Sequence, residues 1–379
     1  MRGTLKVVTA LSALALLTSA CASAGSGSGG GSGGGGNSSS STAGATKFTA
    51  CMVTDTGGLD DKSFNQSSWE GFQAANKADS SIAIKNLPST STADYARNIS
   101  TFVGEKCGII VTVGFLMASA TQTAAKANPS QKFAIVDCSY ASFCLPLKKG
   151  AKPLTNIDQL TYNTVQDAFL GGYLAAGMTK TGKVATYGGQ PFGTVTIYMD
   201  GFWDGVQYYN KVHHKNVTVL GWDEKTQKGT FAGNFTDLGK GQQIADTFIN
   251  EGADIIFPVA GGVGLGTAKA IQTANNSGKS VNMMWVDTDG CVSAASYCKY
   301  MITSVEKGIT TSVKDAIMSA VNGSFKGGAY VGTLKNGGAV LAPYHTFTSK
   351  VPAALQTEIK NLQAQIESGK IVPATKSPV

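Results

Sequence analysis

The sequence predicts an α/β protein with two lobes, each built on a doubly wound parallel sheet. From residue 47 onward, short apolar runs alternate with helical patterns, which is typical of parallel strands joined by crossover helices. The same alternation starts again after residue 160. The length of 379 residues suits two domains of about 150 residues each. A content of 42% apolar and 15% charged residues can fill the cores of such domains.

Residues 1–20 predict a lipoprotein signal peptide. Arg2 and Lys6 precede an apolar segment, 7–17, that is too short to span a bilayer as a helix. Small residues then lead into Cys21, as in a bacterial lipobox, so we expect Cys21 to become the lipidated, palmitate-bearing N-terminus. An ordinary signal peptide with an incidental cysteine is the alternative. Residues 22–46 are only Gly, Ser, Ala, Thr and Asn and predict a flexible tether that is dispensable for ligand binding.

The first lobe is predicted from four strands and the helix that follows the first of them. A helix from about residue 63 repeats apolar side chains every three residues, at Trp69, Phe72 and Ala75. The predicted strands are 48–54, 82–87, 108–113 and 133–136, and 139–160 is predicted as a loop.

The second lobe repeats this pattern over 161–287. Helices are predicted at 168–178, 200–211, 240–251 and 264–275, and strands at 183–187, 217–222, 254–259 and 281–286. Four further elements, at 301–304, 309–321, 329–334 and 353–368, suit either lobe. We expect 47–160 and 288–328 to form the N-terminal lobe, and 161–287 and 329–379 the C-terminal lobe.

Six cysteines follow Cys21, and an even number outside the cytoplasm favours disulfides. Six cysteines allow 15 connectivities, of which the most local pairs Cys51 with Cys107, Cys138 with Cys144 and Cys291 with Cys298. We expect these pairs to stabilise the fold. A catalytic cysteine is disfavoured because none has an obvious histidine partner.

Polar residues recur where predicted strands end. The first strand ends at Asp55, the fourth at Asp137 and the last strand of the second lobe at Asp287, while the 254–259 strand leads into Gly261 and Gly262. Ligands of open α/β sheets bind beyond the carboxyl ends of the strands. Carboxylates there can accept hydrogen bonds from the hydroxyls of a ribose or polyol and would repel phosphate. A helix N-cap or turn is the alternative role for any one of these residues.

Other functional classes lack support. The cations are scattered without a basic run, which disfavours nucleic-acid binding. Three histidines without a spaced cluster disfavour a metal site. The glycine-rich segment 261–266 suggests a nucleotide-dependent enzyme, but its spacing is not G-x-G-x-x-G and no catalytic pair accompanies it. We therefore expect a protein that is not an enzyme and needs no cofactor.

Residues 53–67, followed by Trp69, Glu70 and Gly71, resemble the N-terminal motif of the basic membrane lipoprotein family. That family comprises substrate-binding proteins of ABC transporters, some of which bind purine nucleosides. The resemblance covers most of 47–335, through segments 113–115, 133–137, 171–176, 179–184, 188–189, 200–202, 233–237, 252–257, 260–262, 286–287 and 303–307. It implies a type I periplasmic-binding-protein clamshell with two lobes.

The resemblance also implies a ligand site. It places a base between Phe64 and Phe235. Trp69 also matches a family position, but its helical spacing with Phe72 favours a place in the core. The remaining implied contacts are Asp55, Asn65 and Asp137 with the base or ribose, Asp287 and Lys307 with ribose hydroxyls, and the Gly261 and Gly262 backbone. The chain departs from the family pattern at Gln166, where Glu is frequent, and at 286–290. These departures leave the particular ligand open.

The expected function is therefore that of a lipid-anchored, extracytoplasmic substrate-binding protein of an ABC importer. We expect it to bind a nucleoside, with a purine base favoured, and to deliver it to the permease subunits. Its membrane attachment would be the lipid on Cys21, and we expect a monomer. The alternatives are a binding protein for another small polar ligand, such as a sugar, and the nucleotide-dependent enzyme.

Overall fold

A computed structural model describes residues 48–142, 144–145, 153–377 and 379. The predicted signal peptide, the lipidation of Cys21 and the tether lie outside these residues. Within the described residues, no helix combines the length and apolarity that crossing a membrane requires.

The described residues form fourteen strands and ten helices, with short 3-10 turns between some of them. The strands are β1 (Thr49–Val53), β2 (Ala83–Leu87), β3 (Ile109–Val113), β4 (Phe133–Val136), β5 (Ile157–Tyr162), β6 (Lys183–Gly188), β7 (Thr218–Leu220), β8 (Trp222–Asp223), β9 (Lys228–Gly229), β10 (Ile255–Val259), β11 (Asn282–Asp287), β12 (Met301–Lys307), β13 (Gly328–Gly332) and β14 (Ala339–Leu341). The helices are α1 (Phe64–Ala78), α2 (Asp94–Gly104), α3 (Ala118–Ala127), α4 (Val165–Met178), α5 (Gly193–His213), α6 (Leu238–Asn250), α7 (Gly264–Asn276), α8 (Gly290–Ser293), α9 (Ile309–Val321) and α10 (Ala353–Glu367).

Two six-stranded sheets define two lobes, as predicted. The first sheet has the order β13-β5-β4-β3-β1-β2 and is parallel throughout. The second has the order β14-β12-β11-β10-β6-β7, in which only β14 is antiparallel to its neighbour. Strands β8 and β9 form a small antiparallel ribbon beside the second sheet. Each lobe is therefore doubly wound around its own sheet.

The central strands are apolar on both faces because helices cover both sides of each sheet. All residues of β3, β4 and β10 are buried, as parallel sheets require. In the first lobe, α9 approaches α1 so closely that a Cβ at Gly71 would lie 2.9 Å from the Thr310 carbonyl oxygen. The Trp69 ring stacks on Phe72 at 5.6 Å and packs against the first-lobe core, in agreement with its helical spacing.

Some elements lie outside the predicted segments. Strand β5 occupies part of the segment predicted as a loop, because its polar Asp158 and Gln159 interrupt the apolar run. Helices α2 and α3 were missed between predicted strands: α2 is polar except for a stripe at Tyr95, Ile99 and Phe102, and α3 consists mainly of Ala and Thr.

The C-terminal elements do not follow the lobe boundaries expected from the sequence. Strand β12, expected in the first lobe with 288–328, pairs with β11 in the second sheet. Strand β13, expected mainly in the second lobe with 329–379, pairs with β5 in the first. The chain therefore crosses between lobes after β5, after β12 and after β13. Hydrophobic pattern identifies the type of each element but not which sheet edge it joins, so the sequence could not assign them.

The structure contains the three disulfides that the local pairing predicts. Cys51, in β1, is joined to Cys107 just before β3, which ties together two paired strands. The Cys138–Cys144 and Cys291–Cys298 bonds each close a short loop that follows a strand end, β4 in the first lobe and β11 in the second. The two loops thus occupy equivalent positions in the two lobes.

Candidate functional site

A cleft between the lobes collects the carboxyl ends of both sheets. The space between its walls, counted together with the solvent at its mouth, is about 520 Å³. All nine predicted ligand-binding residues line it: Asp55, Phe64, Asn65, Asp137, Phe235, Gly261, Gly262, Asp287 and Lys307. The site is thus located where open α/β sheets bind small molecules.

The first-lobe wall centres on the amide of Asn65, in the first turn of α1. Its Nδ2 donates to Asp55 Oδ1 at 2.7 Å and to Asp61 Oδ2 at 3.2 Å. The same Asp55 oxygen accepts the Gly57 N–H at 3.0 Å. The Asn65 Oδ1 is buried and has no hydrogen-bond partner among the described residues. Burial, partly offset by the Asn65 amide, raises the pKa of Asp55.

Asp61 holds the N-terminus of α1 in place. Its carboxylate accepts the backbone N–H groups of Ser63, Asn65 and Gln66 at 2.8–3.1 Å, which satisfies donors that a helix start leaves unpaired. Burial raises the pKa of Asp61 to about 6, and these N–H bonds oppose the shift. Asp61 lines the cleft but was not predicted to be a site residue, although an Asp before a helix is a recognisable capping signal.

Lys307 forms the charged centre of the cleft. Its Nζ lies 2.7 Å from Asp137 Oδ2 in the first lobe and 3.4 Å from Asp287 Oδ1 in the second. All three side chains are buried. The two carboxylates raise the pKa of Lys307 against the effect of burial, whereas burial raises the pKa of Asp137 to about 6 although Lys307 opposes it. The cluster joins the two lobes.

Asp137 and Asp287 occupy equivalent strand ends, directly after β4 and at the end of β11. Both have a left-handed backbone, with φ of 65° and 68°, a conformation that Asp tolerates better than most residues. Tyr198, in α5, donates its hydroxyl to Asp287 Oδ1 at 3.1 Å. Tyr198 was not predicted, because it precedes the helix predicted at 200–211, whereas α5 begins at Gly193.

Aromatic side chains line the remainder of the cleft. Phe64 comes from the first lobe and Phe235 from the second, and the Lys307 Nζ lies 5.2 Å from the Phe64 ring centre. Phe115, which follows β3, lies 6.2 Å edge-on from Phe235 and 4.5 Å from Phe192 in the second lobe. A Cβ at Gly189 would lie 2.2 Å from the Phe235 ring, so glycine is required there. Phe115 lies in segment 113–115, which resembles the family, but it was not predicted to be a site residue.

The lobes are also joined beside the cleft by residues 62–63, which we call the hook. The Lys62 carbonyl accepts the Trp285 indole N–H at 2.9 Å and the Ser293 hydroxyl at 2.8 Å. The Ser63 hydroxyl lies 2.9 Å from Asp287 Oδ2 and 3.1 Å from the Val286 carbonyl oxygen. These contacts bind the start of α1 to the end of β11, so the structure represents a closed arrangement of the lobes.

Outside the cleft, Asp289, Cys291 and His345 bring potential metal ligands together in the described part of the chain. Cys291 is bonded to Cys298, however, so its sulfur is not a thiolate, and His345 Nε2 lies 2.6 Å from Asp289 Oδ2. The arrangement is a histidine–carboxylate hydrogen bond beside a disulfide, and these residues do not form a metal centre in this state.

The fold is the two-lobed type I fold of solute-binding proteins, as the sequence predicts. A solute-binding protein of an ABC transporter from Aeropyrum pernix K1 superposes with a TM-score of 0.75 at 22% identity, covering 86% of this chain and 94% of that one. A second, from Conexibacter woesei DSM 14684, has a TM-score of 0.65 at 20% identity and covers 87% and 100%.

Residues 48–378 match the family model described as ABC transporter substrate-binding protein PnrA-like, and the chain belongs to this Bmp family. It is 30% identical to the ABC transporter nucleoside-binding protein BmpA of Lactococcus lactis subsp. cremoris (strain MG1363), over 87% of this chain and 90% of the relative. It is 29% identical to basic membrane protein A of Borreliella burgdorferi, over 84% and 86%. The expected family is therefore confirmed, and the family and the first of these relatives are described as substrate-binding proteins of ABC transporters.

Proposed function

We propose that this protein binds a nucleoside, with a purine base favoured, between its two lobes and delivers it to the permease of an ABC importer. The unpaired Asn65 Oδ1 is the observation that carries the proposal. A buried acceptor without a partner costs roughly 1–3 kcal/mol, so a ligand that donates a hydrogen bond there is strongly favoured.

The orientation of the Asn65 amide is fixed by its surroundings. Reversing the amide would turn its oxygen toward the Asp55 and Asp61 carboxylates, which now accept its N–H groups. The oxygen is therefore left as an acceptor, and in the proposed complex a donor of the ligand bonds to it. Because Phe64 precedes Asn65 and lines the same cleft, a flat ring that stacks on Phe64 could present an N–H edge to that oxygen. A nucleobase has this combination of a π face and N–H donors.

The Lys307 cluster suits the sugar of such a ligand. Asp137 and Asp287 supply carboxylate oxygens and Lys307 an ammonium within one buried group, which matches vicinal hydroxyls that both donate and accept. Four carboxylates, Asp55, Asp61, Asp137 and Asp287, line the cleft with one lysine. That balance disfavours a phosphate, so a nucleoside is preferred to a nucleotide. BmpA of L. lactis, named as nucleoside-binding, supports this choice.

Isothermal titration of the purified protein tests the proposal. We expect adenosine or guanosine to bind, their 5′-monophosphates to bind much more weakly, and ribose alone to lack the stacking contribution of about 1–3 kcal/mol per base. Mass spectrometry of small molecules released on denaturation provides an independent check on ligand carried through purification. Tight binding of a hexose with no response to any nucleoside would favour the sugar-binding alternative.

We further propose that the lipid on Cys21 attaches a monomer to the extracytoplasmic face of the cell membrane. The lipobox before Cys21 and the uncharged segment 22–46 support this attachment. Cys21→Ser should move the protein from the membrane fraction to the soluble fraction, whereas affinity for the ligand should not change. Retention of Cys21→Ser in the membrane would contradict the proposed anchor.

A further inference from the structure

Helix α5 begins at the wall of the cleft and presents one face to it. Thr194, its second residue, and Tyr198, one turn further along, both line the cleft, as residues four apart on a helix share a face. Tyr198 uses its hydroxyl to bind Asp287. Thr194 was not predicted from the sequence to contact the ligand.

The hydroxyl of Thr194 is buried without a hydrogen-bond partner. The residue is only 5% exposed, and its Oγ1 has no partner among the described residues. Thr196, two residues further on, is equally buried, but its Oγ1 bonds Ser377 Oγ at 2.7 Å and the Phe192 carbonyl oxygen at 3.2 Å. Thr194 lines the cleft, whereas Thr196 does not.

The backbone at the same point also offers donors. The N–H groups of Val195 and Thr196 bond the Phe192 carbonyl, whereas those of Gly193 and Thr194 have no partner in the part of the chain described. Phe192 is the N-cap residue, and its phenyl side chain has no atom that could accept a hydrogen bond from these N–H groups. A 21-residue helix adds the partial positive charge of its N-terminus. An oxygen placed here would receive hydrogen bonds from both backbone and side chain.

Closure of the lobes accounts for the burial of this position. The Phe115 ring of the first lobe lies 4.5 Å from the Phe192 ring, directly before α5. Phe115 and Thr194 both line the cleft. The rings of the two lobes therefore meet beside Thr194, and a ligand in the cleft can supply the partner that its hydroxyl lacks among the described residues.

We propose that Thr194, through its side-chain hydroxyl and its own backbone N–H in the first turn of α5, is a specificity-determining contact that holds a neutral oxygen of the ligand. This inference rests on the proposed function. For a nucleoside, the oxygen is the primary hydroxyl of the sugar or a carbonyl of the base. The acidic residues of the cleft favour a neutral oxygen over a phosphate at this helix end.

The test compares Thr194→Val, which removes the hydroxyl but keeps the shape, with Thr194→Ser, which keeps it. Full-length variants are titrated with adenosine, guanosine and 5′-deoxyadenosine. If the contact is to the sugar hydroxyl, Thr194→Val weakens adenosine and guanosine by roughly tenfold and leaves 5′-deoxyadenosine unchanged. If it is to a base carbonyl, guanosine alone loses affinity. Thr194→Ser should retain most of the wild-type affinity in both cases.

Thr196→Val is the matched control, because its hydroxyl is paired away from the cleft; its affinities should equal those of the wild type. Equal loss for all three ligands with Thr194→Val, or no loss for any, would overturn the proposed contact while wild-type binding still supports the nucleoside function. Failure of the wild-type protein to bind any nucleoside would instead overturn the proposed function.

Discussion

Single side chains in this cleft serve both the ligand site and the junction between lobes. Asp287 shows this most clearly: its carboxylate contacts Ser63 of the first lobe, Tyr198 of α5 and Lys307 of β12. A substitution at Asp287 would therefore disturb lobe closure together with any ribose contact. Phe235 is a better residue for testing ligand contact, since it lines the second-lobe wall without a polar partner in the first lobe.

Phe235→Ala should weaken nucleoside binding by about 1–3 kcal/mol, the contribution of one stacked aromatic ring. Phe235 lies at the edge of the second-lobe core and is only partly buried. The melting temperature of the empty protein should therefore change little. Calorimetric titration and thermal unfolding measure the two quantities. Phe231→Leu, at a neighbouring aromatic that packs on Trp222, is a control that should keep its affinity. Unchanged affinity of Phe235→Ala would remove Phe235 from the proposed base site.

The sequence could indicate these side chains only where a local pattern marks them. The strand-end aspartates follow from apolar runs that stop at Asp55, Asp137 and Asp287, and the family motif supplied Phe64 and Asn65. Thr194 and Tyr198 carry no such signal. They reach the cleft because α5 starts seven residues before the predicted helix at 200–211, and the first turn of a helix is the hardest part to place.

At the scale of elements, successive side chains of strand β12 point to opposite faces of the sheet, so that Glu306 and Lys307 lie in two different charged environments. Lys307 points into the cleft, whereas Glu306 is adjacent to Val340 of β14 and influenced by Asp289. Burial chiefly, with repulsion from Asp289, raises the pKa of Glu306 to about 7. Asp167, at the start of α4, is fully buried, and burial together with Glu306 raises its pKa well above the usual range. His345 pairs with Asp289 at the same end of the strand.

Glu306→Gln should change how stability depends on pH. Below its unfolded pKa of 4.5, Glu306 is protonated in both states and contributes nothing; between 4.5 and about 7 only the folded state keeps the proton. The unfolding free energy of the wild type should therefore fall, relative to Glu306→Gln, as pH rises through this window. The difference should reach on the order of 1–3 kcal/mol above pH 7. Urea unfolding at pH 4.5 and pH 8 measures it, and parallel pH profiles would contradict the shifted pKa.

The elements themselves were largely predictable, and their assignment to lobes was not. Strand β4 and helix α9 begin and end at the predicted residues, because an apolar run or a helical stripe is a local property. The placement of β12 and β13 depends on which sheet edge is free after folding. That choice is set by contacts between residues more than 150 positions apart, such as β13 with β5, which no local pattern encodes.

On the scale of the whole molecule, two kinds of contact hold the lobes together. The Lys307 cluster lies in the cleft and would change when ligand binds, whereas the bonds from Trp285 and Ser293 to the Lys62 carbonyl lie beside it. The hook can therefore hold the lobes partly closed before any ligand arrives. In a two-state equilibrium, such a bias raises apparent affinity because less of the binding energy is used to close the protein.

Removing the two bonds to the Lys62 carbonyl tests this coupling. The double substitution Trp285→Phe and Ser293→Ala removes both donors to the Lys62 carbonyl while leaving every proposed ligand contact intact. Each lost hydrogen bond contributes about 0.5–1.5 kcal/mol, so the empty protein should shift toward the open form and its apparent affinity for the nucleoside should fall.

Small-angle scattering should show a larger radius of gyration for the empty variant than for the empty wild type, with the two converging at saturating ligand. Ser296→Ala, close to Ser293 but without a bond to the hook among the described residues, should behave as the wild type. If the double variant keeps the wild-type radius without ligand and loses no affinity, the bonds to the Lys62 carbonyl do not bias closure, and the Ser63 bonds, the Lys307 cluster and the aromatic contacts must hold the lobes together.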